Sequence, residues 1–162
     1  MPEKNSSSAT QPATREATIT RIFDAPRALV FKAWTNPNHM AQWWGPKGFT
    51  NRSCELDVRP GGVIRIEMVT PDGTAHPMTG VFHEIVEPER LVFTSRAFFD
   101  KDGNPKIEVR NTVTFEDHNG KTKLTVKIVI VRAAPEVERA VAGMEQGWNQ
   151  SLDRLAQLLA NA

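Results

Sequence analysis

Any chemistry in this chain has to come from four histidines, one cysteine and a few polar residues set among apolar ones. His39, His76, His83 and His118 show no i, i+4 pairing and no cysteine at zinc-binding spacing, so the sequence offers no metal site. Cys54 lacks an internal disulfide partner, and within a strand-like stretch it reads as a small buried hydrophobe. Gly61-Gly62 belongs to a hairpin turn and opens no helix, so nothing resembles a phosphate-cradling loop. No catalytic set and no cofactor are expected. His76, Ser95 and Asn111 remain, and strand alternation places all three inside. There they can hold the polar end of a ligand, bond to backbone or water, or take part in proton transfer.

Trp34, Trp43, Trp44 and Trp148 form the other conspicuous set. Each can bury about 150 to 250 Å² and brings one N–H donor. All four can seal one end of a core, and Trp44 and Trp148 can at the same time line or gate a cavity.

These residues need a scaffold, and the composition bounds it. A chain of 162 residues suits a single domain with a substantial core. Twenty Lys and Arg against 19 Asp and Glu leave a formal charge of +1, which gives no broad basic field for nucleic acid. No apolar run approaches the roughly 20 residues needed to cross a bilayer. The lone cysteine and the absence of an apolar leader fit a reducing cytoplasm. Residues 1–16 are rich in Ser, Thr, Pro and charge and are expected to form a disordered tail ahead of one domain over 17–162.

From Ala17 a β-prone run ends at Asp24 and Pro26, with Asp24 or Ala25 placed to cap a helix over 26–35. Asn36-Pro37 stops that helix, and a second short one follows through His39, Met40, Trp43 and Trp44 until Gly45-Pro46 breaks it. Strands are then predicted near 51–58, 63–70, 76–86, 91–97, 107–115 and 122–131, separated by turn chemistry such as Arg59-Pro60-Gly61-Gly62 and Thr70-Pro71-Asp72-Gly73. Turns this short join antiparallel neighbours. After Ala134-Pro135, Val137, Val141, Met144, Trp148, Leu152, Leu155 and Leu159 recur every three or four residues and predict one continuous helix of about 24 residues.

Alternation sets Ile64, Ile66 and Met68 on the inner face, with His76, Met78, Gly80 and Phe82, then Leu91, Phe93 and Ser95, and Asn111 between Val109 and Val113. Ile85 implies a bulge near Glu84. Arg65, Glu67, Glu108 and Arg110 fall on the outer face, where cross-strand ion pairs are expected. One helix about 10 to 12 Å across is too narrow to cover a seven-stranded sheet. Either bulky side chains fill the remainder or a cavity persists, and patterning admits both.

The runs Thr20-Arg21-Ile22-Phe23-Asp24-Ala25-Pro26, Val30-Phe31-Lys32-Ala33-Trp34-Thr35 and Trp43-Trp44-Gly45-Pro46, with Glu89-Arg90-Leu91-Val92-Phe93-Thr94 and the closing Gly147-Trp148-Asn149-Gln150-Ser151-Leu152, occur in an order that resembles a known family. That family is the activator of heat-shock-protein-90 ATPase homologue-like family of the SRPBCC (START-like) superfamily. The resemblance implies an α+β helix-grip fold, a curved antiparallel sheet around a long C-terminal helix, often enclosing a deep hydrophobic cavity. Many members carry an aromatic residue where this chain has Ser95.

The leading expectation is binding of a small hydrophobic molecule between sheet and helix. Trp44, Phe49, Ile66, Met68, His76, Phe82, Phe93, Ser95, Asn111, Met144 and Trp148 are the candidate ligand-binding residues. The resemblance adds two alternatives. One is a co-chaperone or stress-response protein with a heat-shock protein 90-type partner. The other is a cyclase- or hydrolase-like enzyme in which His76 is the residue to suspect.

Overall fold

A computed structural model describes residues 15–161. The tail expected over 1–14 lies outside the described residues, but Arg15 and Glu16 do not belong to a tail. The carbonyl of Arg15 accepts from Ile130 N, its guanidinium donates to Glu138 at 2.6 Å, and Glu16 opens the first strand.

Strand β1 (Glu16–Phe23) leads into helices α1 (Arg27–Thr35) and α2 (Pro37–Trp43). Six strands follow: β2 (Thr50–Leu56), β3 (Val63–Val69), β4 (Ala75–Val86), β5 (Arg90–Phe99), β6 (Pro105–His118) and β7 (Lys121–Ala133). They form one sheet of seven strands in the order β1-β7-β6-β5-β4-β3-β2, with every neighbouring pair antiparallel. The two strands joined through α1 and α2 thus occupy opposite edges, and the helices bridge one face of the sheet.

The cap on α1 differs from expectation. Pro26, extended at φ −69° and ψ 154°, holds the N-cap position without a side-chain bond. Ala25 is buried, and its carbonyl accepts from Thr122 Oγ1 at 2.7 Å, so this corner is fixed by β7 and not by Asp24. Helix α2 has a true cap, since Asn36 Oδ1 accepts from the backbone N–H of Asn38 and His39.

The inner face follows the alternation. Ile64, Ile66, Met78, Phe82, Leu91, Phe93, Val109, Asn111 and Val113 are all buried. The register slips between Phe82 and Glu84, which is the bulge that Ile85 required. On the outer face Arg65 pairs with Glu55 at 3.7 Å, Glu67 with Arg52 at 3.6 Å and Glu108 with Arg96 at 3.6 Å. Such exposed pairs contribute about 0 to 1 kcal/mol each.

The long C-terminal helix is broken. A 3₁₀ turn (Pro135–Val137) and a short helix α3 (Glu138–Ala142) precede α4 (Met144–Ala160), with Gly143 between them at φ −91° and ψ 2°. Glycine costs about 1 kcal/mol relative to alanine inside a helix, and at Gly143 the apolar stripe continues through a joint instead of a rod. Leu152, Leu155 and Leu159 lock α4 into the core, whereas Met144 and Trp148 are only half-buried. Among the described residues no helix is long and apolar enough to cross a membrane.

One turn carries an acid-sensitive contact. Asp72, between β3 and β4, accepts from the Thr70 hydroxyl and from Thr74 N, and these bonds hold its carboxyl down to about 2 from an ordinary 3.8. A depressed folded-state value stabilises the fold above pH 3.8 and loses that contribution as pH falls through about 2. Asp72→Asn is therefore expected to lower the melting temperature at neutral pH and to flatten its decline across that window. Parallel melting curves with the same acid slope would contradict this.

Candidate ligand-binding groove

Where α3 meets α4 the inner face is left partly uncovered, and a groove of about 630 Å³ opens there. Its floor is the inner face of β3 to β6, through Met68, Met78, Ala97, Ile107 and Val109. Its roof is the helix joint, where Ala140, Gly143 and Gly147 present almost no side chain and Met144 and Trp148 overhang. The third wall is the loop from Trp44 to Phe49.

That loop is pinned from two sides. Asn51 Nδ2 donates to the carbonyls of Ala41 and Trp44, each at 2.9 Å. From α4, the Arg154 guanidinium reaches the carbonyls of Gln42, Trp44, Gly45 and Pro46 at 3.0 to 3.3 Å. It satisfies acceptors that the end of α2 leaves unpaired, and burial pushes its pKa down. Arg154 thus fixes the distance between two walls of the groove.

The tryptophans divide between sealing and lining. Trp34 and Trp43 are fully buried, and Trp43 Nε1 donates to Ala33 O at 2.9 Å. Trp148 stacks on Trp34 with ring centres 5.8 Å apart and meets Trp44 edge-on at 5.4 Å. Trp44 and Trp148 present their remaining surface to the groove.

Eight of the candidate residues border this space: Trp44, Phe49, Met68, His76, Ser95, Asn111, Met144 and Trp148. Ile66, Phe82 and Phe93 do not. They surround a void of only about 10 Å³ under Trp34 and Met40, where α1 and α2 cover the sheet and side chains close the core. The two outcomes that patterning left open therefore coexist, a filled core at one end and a groove at the other.

Alternation did not reveal Phe98 and Phe99, which both line the groove. Successive strand residues normally point to opposite faces, but Phe98 has φ 57°, which breaks the alternation. A bulky residue in this region costs about 1 to 2 kcal/mol. The result is an aromatic side chain 44% exposed at the groove. Strain of this kind accumulates at functional sites.

The groove is largely apolar: among the described residues no Asp, Glu, Lys or Arg borders it, and His76 is the titratable side chain in its lining. Its polar groups include His76, Ser95, Ser151 and Asn111. His76 lies beside Phe49, ring centres 6.0 Å apart, and is the one histidine of the four that borders the space. Asn111 Nδ2 donates to Ser95 Oγ at 3.1 Å and to Phe93 O at 3.5 Å. Among the described residues no three His, Cys, Asp or Glu side chains converge as metal ligands would. Cys54 lies away from the groove, with its thiol pushed up to about 11 by burial and the nearby Glu55 carboxylate, so it is a poor nucleophile.

Comparison with known proteins identifies the family and the fold. The sequence pattern of the family described as activator of Hsp90 ATPase homolog 1-like protein matches residues 24–160. The solution structure of a protein from Arthrobacter aurescens is similar with a TM-score of 0.81 and 24% identity, over 94% of this chain and 90% of that one. A crystal structure from Chromobacterium violaceum has a TM-score of 0.73 and 28% identity, over 92% and 98%. A protein from Silicibacter pomeroyi that carries the AHSA1 name has a TM-score of 0.73 and 24% identity, over 90% and 98%. The first and third likenesses bear on the fold alone. No curated protein matches the chain.

Proposed function

Because the chain belongs to the activator of Hsp90 ATPase homolog 1-like family of the SRPBCC superfamily, with its helix-grip fold, we propose that it binds a small hydrophobic molecule in the groove under the α3–α4 joint. The observation that carries this reading is a largely apolar space of about 630 Å³, within the usual range for ligand pockets, walled by Met, Phe and Trp side chains and bordered by no Asp, Glu, Lys or Arg among the described residues. Binding draws on removal of apolar surface from water, about 25 cal/mol per Å² before ordering costs. Flexible methionines at the floor and roof allow the walls to adapt to shape.

Trp44 and Trp148 make the test direct, since both border the groove. A library of uncharged lipids and aromatic compounds is expected to contain members that change tryptophan emission saturably. A library without one such compound would remove the reading.

The family description supports a second reading, a co-chaperone that engages a heat-shock protein 90-type chaperone through its outer surface. It predicts a change in chaperone ATPase rate on addition of this protein. An unchanged rate with no association would exclude it.

A further inference from the structure

His76 is the one side chain in the groove lining that can carry a full charge near neutral pH, and the charge it can carry is positive. It stands on the inner face of β4, opposite Met68 of β3, with its ring beside Phe49. His83 has a side-chain partner, Thr94 Oγ1 at 2.6 Å, whereas the ring nitrogens of His76 bond to no protein group among the described residues. The half-buried ring thus keeps its hydrogen-bonding capacity for a guest.

The charged groups on the surrounding elements are engaged elsewhere or exposed. Asp72, in the turn before β4, accepts from the Thr70 hydroxyl and Thr74 N. Glu67 of β3 faces outward to Arg52, and Arg96 of β5 faces outward to Glu108. The Arg154 guanidinium is spent on loop carbonyls, and Lys47 of that loop is exposed. None of these groups borders the groove. An ammonium entering it would therefore lose hydration and meet no acid in the lining, whereas a carboxylate meets a cationic donor at one place, the His76 imidazolium. Because His76 is only half-buried, a carboxylate beside it keeps part of its water. Resting on the proposed binding function, we propose that the ligand is an amphipathic acid whose apolar body lies under Met144 and Trp148 and whose carboxylate accepts a hydrogen bond from the His76 imidazolium.

A histidine ordinarily loses its proton between about pH 5.5 and about pH 8. Asp72 titrates at about 2 and Cys54 at about 11, so neither changes charge in that range, and the other three histidines lie outside the lining. Two probes that share one octylphenyl body, para-octylbenzoate and para-octylphenol, are titrated calorimetrically into the full-length protein at both ends of the range, where the benzoate is ionised and the phenol is not. From the lower pH to the higher, the benzoate is expected to weaken at least about tenfold relative to the phenol. In His76→Phe and in His76→Gln, neither of which can carry charge, the ratio of the two affinities is expected to be the same at both pH values. One variant with a cooperative melt is enough for this comparison, and should neither fold, the wild-type ratio decides alone. A wild-type ratio that does not change with pH, or a folded variant that keeps the wild-type pH dependence, overturns the acid assignment and, with the phenol bound, leaves the groove as a binding site. Failure of both probes to bind at either pH overturns both.

Discussion

Gly80→Ala is expected to lower the melting temperature by about 6 to 12 °C, the equivalent of about 3 kcal/mol in a domain of this size. Gly80 lies on the inner face of β4, opposite Ser95 of β5. A Cβ added there would stand 2.2 Å from the Thr94 carbonyl oxygen, a backbone atom that cannot rotate away. The β4 and β5 backbones would have to separate at that point, straining the pairing of the two strands. Calorimetric melting of both proteins checks this. A shift of only a degree or two would mean that the strands yield more easily than their pairing implies.

The largest effect on binding is expected from Ala97→Phe. Ala97 borders the groove from β5, half-buried, between Met78 and Ile107 on the neighbouring strands. Its small side chain leaves open space, so a phenyl group there enters the groove and not a packed core. Displacing about 100 Å² of ligand contact forfeits about 2.5 kcal/mol, or roughly a 70-fold loss in affinity. The melting temperature should change little, because no close-packed neighbour is displaced. Full affinity in a folded variant would place the ligand elsewhere.

Much of this architecture is legible in the residues. The alternation in Val-Ile-Arg-Ile-Glu-Met of β3 fixes which side faces inward, and the turn residues between strands permit only an antiparallel order. His76, Ser95 and Asn111 emerge from the same alternation, and all three border the groove. Two features resist such a reading. The apolar stripe from Val137 to Leu159 keeps its spacing across Gly143, so periodicity reports one helix where the backbone makes two. That joint determines where the sheet stays uncovered. Phe98 escapes because pattern arguments assume regular strand geometry, which its positive φ abandons. Ile66, Phe82 and Phe93 show a third limit: alternation says which residues face inward, but not which of them another side chain already covers.

Methionine methyl groups give the most direct measurement of whether the groove admits a guest. Met68 and Met144 border it, whereas Met40 lines the small closed void beneath the first two helices. In proton–carbon spectra of methyl-labelled protein titrated with para-octylphenol, the signals of Met68 and Met144 are expected to move saturably while that of Met40 stays in place. Movement of Met40 without the other two, or no movement at all as the probe saturates the solution, would contradict the account.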